Sequence, residues 1–201
     1  MLFIRHATIV AIILLISACA TQPVTPSQPA IASAVNQKHL ATLANIKTFA
    51  LKGRLGVVTQ KQGFSGTIDW QHQAMSDNIE IFSPLGGKVA NIAKTNAGVT
   101  LTNQKGHSVS AQDAESLTET TLGFRLPLTG LSDWAIGRPS AGKIDAANWD
   151  ETGRLTLLKQ DGWDISFENY SMQNGVDLPS KILLKSEKLN LKLLVEKWGF
   201  P

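Results

Sequence analysis

Apolar and polar residues alternate along most of the chain beyond residue 47. Phe49, Leu51, Leu55 and Val57 share one parity, while Lys52 and Arg54 take the other. Phe64, Ile68 and Trp70 alternate with Ser65, Asp69 and Gln71, and Ile79 and Ile81 with Asn78 and Glu80. Trp163, Ile165 and Phe167 alternate with Asp164, Ser166 and Glu168, and Leu189, Leu191, Leu193 and Val195 close the chain in the same rhythm. A period of two sends successive side chains to opposite faces, so each run predicts a strand with one buried and one wet face. Strands of that kind belong to antiparallel sheets. About eleven are predicted, at 48–59, 63–73, 77–83, 87–94, 98–103, 106–110, 142–148, 154–160, 163–170, 180–186 and 189–198.

Two segments break the period. Residues 35–46 place Leu40, Leu43 and Ile46 on one side of a short helix. Between the sixth and seventh strands, Ser110 and Asp113 have capping-box spacing ahead of a helical stretch through Leu117. Leu128, Leu131, Trp134 and Ala135 then recur at helical spacing, and Gly137 and Pro139 supply the stop. The predicted order is one helix, six strands, two helices and five strands. A sheet this wide curls on itself, and its concave face needs a cover. The helices carrying Leu128, Leu131 and Trp134 are the natural cover. Tight packing beneath them gives a plain core; loose packing gives an apolar cavity.

The stretch Ser83-Pro84-Leu85-Gly86-Gly87-Lys88 predicts a turn between the third and fourth strands. Pro84 suits its second position and Gly86 its fourth, which leaves Leu85 third with its side chain free to project. Single exposed leucines are ordinary, so the turn alone assigns Leu85 no task.

The N-terminus has a different character. Arg5 and His6 precede an uncharged run from Ala7 to Ile16. As a helix those residues rise only about 15 Å, half of a ~30 Å hydrocarbon core, so they form a signal-peptide core rather than a span. The run ends Ile16-Ser17-Ala18-Cys19, with small residues before the only cysteine of the chain. A lone cysteine in an exported protein is a free thiol, an intermolecular disulfide or a lipid attachment point. At this position it resembles the lipobox of bacterial lipoproteins, which implies cleavage before Cys19 and its acylation. Ala20 in place of aspartate implies the outer membrane by the same analogy. The organisation expected is a signal peptide over 1–18, a lipidated Cys19 with a Pro-, Ser- and Thr-rich tether over 19–34, and one folded domain over 35–201.

Composition adds exclusions. The 201 residues carry a formal charge of +3 with scattered lysines and arginines, so no nucleic-acid partner is expected. No two of the four histidines have metal-ligand spacing, and a metal site is not expected. Gly63-Phe64-Ser65-Gly66 lacks the spacing of a nucleophile elbow, and Gly87-Lys88 is followed by Val89 where a phosphate loop needs Ser or Thr. Asp69, Asp77 and Glu80 alternate on strands and are expected on a solvated face. Nothing here points to an enzyme, and no cofactor is expected beyond the covalent lipid on Cys19.

Gly66-Thr67-Ile68-Asp69-Trp70, Ser83-Pro84-Leu85-Gly86, Leu126-Pro127-Leu128, Trp134 with Gly137, Gly162-Trp163, Leu178-Pro179 and Trp198 stand in an order that resembles the LolB family of outer-membrane lipoprotein receptors. The resemblance spans nearly the whole mature chain. It implies a mainly β fold, an open, half-closed antiparallel barrel of about eleven strands. About three short helices would cover a hydrophobic cavity as a lid. It implies receipt of acylated lipoproteins from a LolA-like periplasmic carrier and their insertion into the outer membrane without nucleotide hydrolysis. The partners expected are that carrier, the acylated cargo and, through the anchor, the inner leaflet of the outer membrane; a monomer is expected. Trp70, Leu128, Leu131, Trp134, Ile136 and Trp163 are candidates to line the cavity or its lid. Pro84, Leu85 and Gly86 would form a protruding loop that delivers cargo to the membrane. A structural outer-membrane lipoprotein with a packed core and no lipid cargo is the alternative.

Overall fold

The computed structural model describes residues 34–112, 114–122 and 128–201. The predicted signal segment 1–18, Cys19 and all but the last residue of the tether lie outside the described residues, as do Asp113, Leu126 and Pro127. Helix α1 (Ala34–Leu43) leads into β1 (Thr48–Thr59), β2 (Gly63–Gln73), β3 (Ser76–Phe82), β4 (Lys88–Thr95), β5 (Gly98–Asn103) and β6 (Ser108–Ala111). Helices α2 (Ala114–Leu122) and α3 (Leu128–Ala135) follow, then β7 (Ile144–Trp149), β8 (Leu155–Gln160), β9 (Trp163–Gln173), β10 (Val176–Lys185) and β11 (Leu189–Gly199). The expected fold class is the observed one.

All eleven strands form one sheet in the order β6-β5-β4-β3-β2-β1-β11-β10-β9-β8-β7. Each half is a meander of antiparallel hairpins, and the halves join where β1 pairs with β11. Strands β6 and β7 end the order and do not pair with each other, so the barrel stays open. The chain that connects these two free edges is the helical insertion, with α2 packed on β5 and β6 and touching α3. The cover is therefore the stretch of chain between the two free edges.

The seam between the halves is aromatic. Phe49 on β1 packs edge-on against Trp70 of β2 at 5.3 Å and against Trp198 of β11 at 5.4 Å between ring centroids. The alternation of β11 predicts odd-numbered residues inside, yet Trp198 is buried along with Leu189, Leu191, Leu193 and Val195. A bulge explains this: Lys52 pairs with Lys197 and Gly53 with Val195, leaving Glu196 as an extra residue. The extra residue shifts the parity and bends the strand. Gly53 permits the close approach, because a Cβ there would lie 2.1 Å from the carbonyl oxygen of Leu194. On the outer face, Lys52 pairs with Asp69 at 2.6 Å and Lys181 with Glu168 at 2.6 Å.

Several boundaries differ from expectation for local reasons. Strands β9 and β10 run to Gln173 and from Val176, because Asn174 and Gly175 both take positive φ (48° and 80°) in a two-residue hairpin. Pro179 sits inside β10 and pairs with Tyr170 of β9, while pairing to β11 begins only at Lys181. Its missing N–H therefore faces no ladder partner. Helix α1 stops at Leu43, and hydrogen bonds from Asn45 to Thr42 and from Ile46 to Leu43 turn the chain toward β1. Ser110 does not cap α2: it lies in β6, where its hydroxyl pairs with that of Thr100 at 2.8 Å, and the helix runs on to Leu122.

Candidate functional site

The six predicted lining residues are all inside. Trp70 comes from β2, Trp163 from β9, and Leu128, Leu131, Trp134 and the adjoining Ile136 from the α3 region; each is buried. They belong to the cluster formed by the concave sheet face and its cover. Trp134 has no exposed surface at all. The side chain folds back along its own helix over Gly130, where a Cβ would come within 2.9 Å of the indole.

Three polar attachments hold α3 down. Near its start, the Lys94 ammonium of β4 donates to the carbonyl of Leu128 at 3.4 Å. Toward its end, the Trp134 indole N–H donates to Gln160 Oε1 of β8 at 3.1 Å. Gln160 is fully buried, accepts as well from the Ser140 amide and donates its Nε2–H to the Ser140 carbonyl. The helix terminates in a Schellman arrangement, with Gly137 N–H to Trp134, Arg138 N–H to Asp133, and Gly137 at φ 79°. The Arg138 guanidinium binds the Asp133 carboxylate and also donates to the Leu43 carbonyl, which ties α1 to α3. So α3 reaches from the β4 side of the sheet to the β8 side, fastened at both ends.

Asp77 corrects the expectation of a solvated carboxylate. It shares parity with Ile79 and Ile81, so β3 carries it to the concave face, where only 6% of it is exposed. Its Oδ1 accepts from the Trp70 indole at 2.9 Å and lies 2.7 Å from His72 Nδ1, while Lys94 stands 3.6 Å from Oδ2. Burial by itself would push this carboxyl up. Hydrogen bonds from His72 and Trp70, with the nearby positive charge of Lys94, outweigh that and hold it below the ordinary range. The network thus links Trp70, one candidate lining residue, through Asp77 and Lys94 to Leu128, another. Beside it, a groove of about 610 Å³ opens at the rim between Phe49, His72, Met75 and Phe200. Among the described residues, no group of three or more His, Cys, Asp or Glu could hold a metal ion.

The depressed Asp77 value fixes a pH dependence. The folded protein holds this proton more weakly than the unfolded chain, so ionised Asp77 stabilises the fold above the ordinary value of 3.8. That contribution is lost as pH falls below 3.8 through the folded value. Asp77→Asn should cost about 1.5–3 kcal/mol at neutral pH, the range for hydrogen bonds to a charged group. Its acid limb should also be flatter than that of the parent protein. Denaturant titrations at neutral pH and on the acid side check both statements.

At the other end of the sheet, the β3–β4 turn has the predicted form. The Gly86 amide donates to the Ser83 carbonyl at 2.9 Å, which closes the turn with Pro84 and Leu85 at its centre. Gly86 takes φ 84°, and the Gly87 amide donates to the Ser83 hydroxyl. Leu85 is 99% exposed, the most exposed large apolar residue among those described.

The family described as "Outer membrane lipoprotein LolB" matches residues 47–198 of this sequence. The chain belongs to the LolB family. An outer-membrane lipoprotein LolB of Nitrosomonas europaea is 34% identical over 192 residues, covering 94% of this chain and 90% of that protein. The LolB of Thiobacillus denitrificans is 35% identical over 151 residues, covering 75% of this chain and 79% of its own. That of Pseudomonas fluorescens Pf0-1 is 29% identical, covering 98% and 97%. Among solved structures, a LolA superfamily protein of N. europaea superposes with a TM-score of 0.52 at 10% identity, covering 85% of this chain and 93% of that one. This second likeness concerns the fold alone. LolB family members are outer-membrane lipoproteins, and no helix of the described residues here is long and apolar enough to cross a membrane.

Sequence reasoning missed Gln160, Lys94 and Asp77. Parity was the available signal: Gln160 aligns with Leu158, and Asp77 with Ile79. Polar residues at inward positions mark places where the cover is fastened.

Proposed function

We propose that this protein is the outer-membrane receptor that takes acylated lipoproteins from a soluble LolA-like carrier and inserts them into the bilayer. Acyl chains enter the apolar space between the concave sheet face and the α2–α3 cover. One observation carries this reading: the cover is the connection between two unpaired sheet edges, and α3 rests on the sheet through apolar side chains and a few side-chain hydrogen bonds, with no strand pairing of its own. The concave face beneath it is apolar enough to replace a carrier's cavity. Exposure of acyl chains to water costs about 0.8 kcal/mol per CH₂, so cargo moves between apolar sites rather than through solvent. The sequence has no nucleotide-binding motif, and transfer runs downhill in affinity. Trp70, Leu128, Leu131, Trp134, Ile136 and Trp163 line the acyl space, Cys19 carries the anchor, and the Pro84-Leu85-Gly86 tip meets the membrane. The role is binding and hand-over, not catalysis.

The full burial of Trp70 and Trp134 is what favours the second reading, a structural lipoprotein with a permanently packed core. A transfer assay separates the two. Carrier loaded with radiolabelled lipoprotein is mixed with this protein reconstituted in vesicles, and the cargo is followed into the vesicle fraction. Transfer is expected at sub-stoichiometric carrier; cargo that stays on the carrier, with the receptor folded, overturns the reading. The chain without residues 1–19 should still accept cargo but should no longer fractionate with the membrane.

A further inference from the structure

The strand order places three hairpins side by side, β1–β2, β3–β4 and β5–β6, and their antiparallel pairing sends all three tips to one end of the sheet. The tips read Gln60-Lys61-Gln62, Ser83-Pro84-Leu85-Gly86-Gly87 and Gln104-Lys105-Gly106-His107, without a carboxylate among them. Lys61 and Lys105 are exposed, and neither has an ion-pair partner among the described residues. Leu85 stands on the middle tip between them. Carboxylates return on the other half of the same rim, with Glu187 beside Lys188 on the β10–β11 tip and Asp161 on the β8–β9 tip. The charge-free apolar point and its two cationic flanks are thus confined to one side.

All three tips are preorganised by a polar side chain at their base. Thr59 Oγ1 accepts from the Lys61 and Gln62 amides, Ser83 Oγ from the Gly87 amide, and Asn103 Oδ1 from the Lys105 and His107 amides. Fixed tips present their side chains together, as binding to an extended surface requires.

We infer that this three-tip end is a docking face for an anionic lipid surface, with Lys61 and Lys105 engaging negatively charged headgroups on either side of Leu85. An exposed apolar residue flanked by unpaired cations fits a boundary that is apolar within and negative outside. The tether is compatible with this pose. Fifteen Cα–Cα steps lead from Cys19 to Ala34 and can span at most about 50 Å, against about 40 Å for the twelve residues of β1. The anchor therefore restricts distance and leaves orientation to the surface. The inference rests on the reading of Leu85 as the membrane-contacting tip and adds the headgroup chemistry that tip selects.

The test uses the full-length acylated chain in vesicles of phosphatidylcholine alone, or with roughly a third phosphatidylglycerol. A polarity-sensitive fluorophore at Gln104→Cys reports tip contact. Each lysine at an anionic surface is expected to raise the docked-to-undocked ratio roughly fivefold, so Lys61→Gln with Lys105→Gln should lower it about 25-fold. The loss should appear only in anionic vesicles and vanish at about 1 M salt, where the Debye length is ~3 Å. Equal contact with both vesicle types overturns the inference. So does a lysine dependence confined to cargo uptake from the carrier, which would make this rim a protein-docking face. Cargo transfer measured in parallel keeps the outcomes apart: normal transfer with charge-independent docking rejects the headgroup assignment and leaves the receptor reading standing. Absent transfer with charge-dependent docking does the reverse.

Discussion

Trp134→Glu is expected to abolish acyl-chain capture while leaving the eleven-stranded ladder intact. Trp134 has no exposed surface, and its indole N–H is bonded to the fully buried Gln160. A carboxylate in that position loses the hydrogen bond and faces apolar neighbours, at a cost of several kcal/mol unless it reaches water. The cheapest escape is for α3 to lift from the sheet, because the helix is held by apolar packing and a handful of side-chain bonds, and its departure breaks no ladder pairing. The variant should then show unchanged far-ultraviolet β signal, faster amide exchange in α3, and a loss of acyl photo-crosslinking of at least tenfold. Trp134→Phe is the informative companion. It keeps most of the apolar surface and deletes only the bond to Gln160, so capture should fall several-fold, not vanish. Full crosslinking in Trp134→Glu would remove this residue from the acyl space and count heavily against a cavity under α3.

The contrast between the sheet and its fastenings also explains what the sequence discloses. Strand positions are legible because each face of an antiparallel strand meets one environment, so parity records burial directly, as in Trp163, Ile165 and Phe167. The Pro84-Leu85 turn is legible because proline and glycine restrict the backbone locally. Bulges are not legible in this way: Glu196 shifts parity within β11, and only the later burial of Trp198 betrays it. Long-range polar pairs are harder still. Lys94 meets Leu128, and Trp134 meets Gln160, across separations that strand order alone creates. The same holds for Lys61, Leu85 and Lys105, which look like scattered residues until hairpins bring their tips to one end. Alternation could register the sheet; only topology could assemble the rim.

Leu85→Glu is the second decisive case, and its structural setting makes it unusually clean. At 99% exposure Leu85 has almost no packing to lose, and the turn is closed by Ser83 and Gly86, not by the leucine side chain. Surface changes of this kind alter stability by no more than about 0.5 kcal/mol, so thermal unfolding should match the parent protein. Cargo uptake from the carrier should also match, because the proposed acyl space lies under α3 and not at the hairpin tips. Insertion is where the effect falls. Burying one leucine in lipid is worth about 1.5–3 kcal/mol, or roughly ten- to a hundredfold in contact with the bilayer. Glutamate forfeits that and adds a negative charge between Lys61 and Lys105, where an anionic surface would repel it. The expected phenotype is a receptor that fills with lipoprotein and holds it, seen as a stable receptor–cargo complex with little vesicle-inserted product. Such an arrested complex would separate capture from delivery within one small fold, assigning the first to the covered concave face and the second to an exposed turn. Insertion at the parental rate would return Leu85 to the status of an ordinary surface residue.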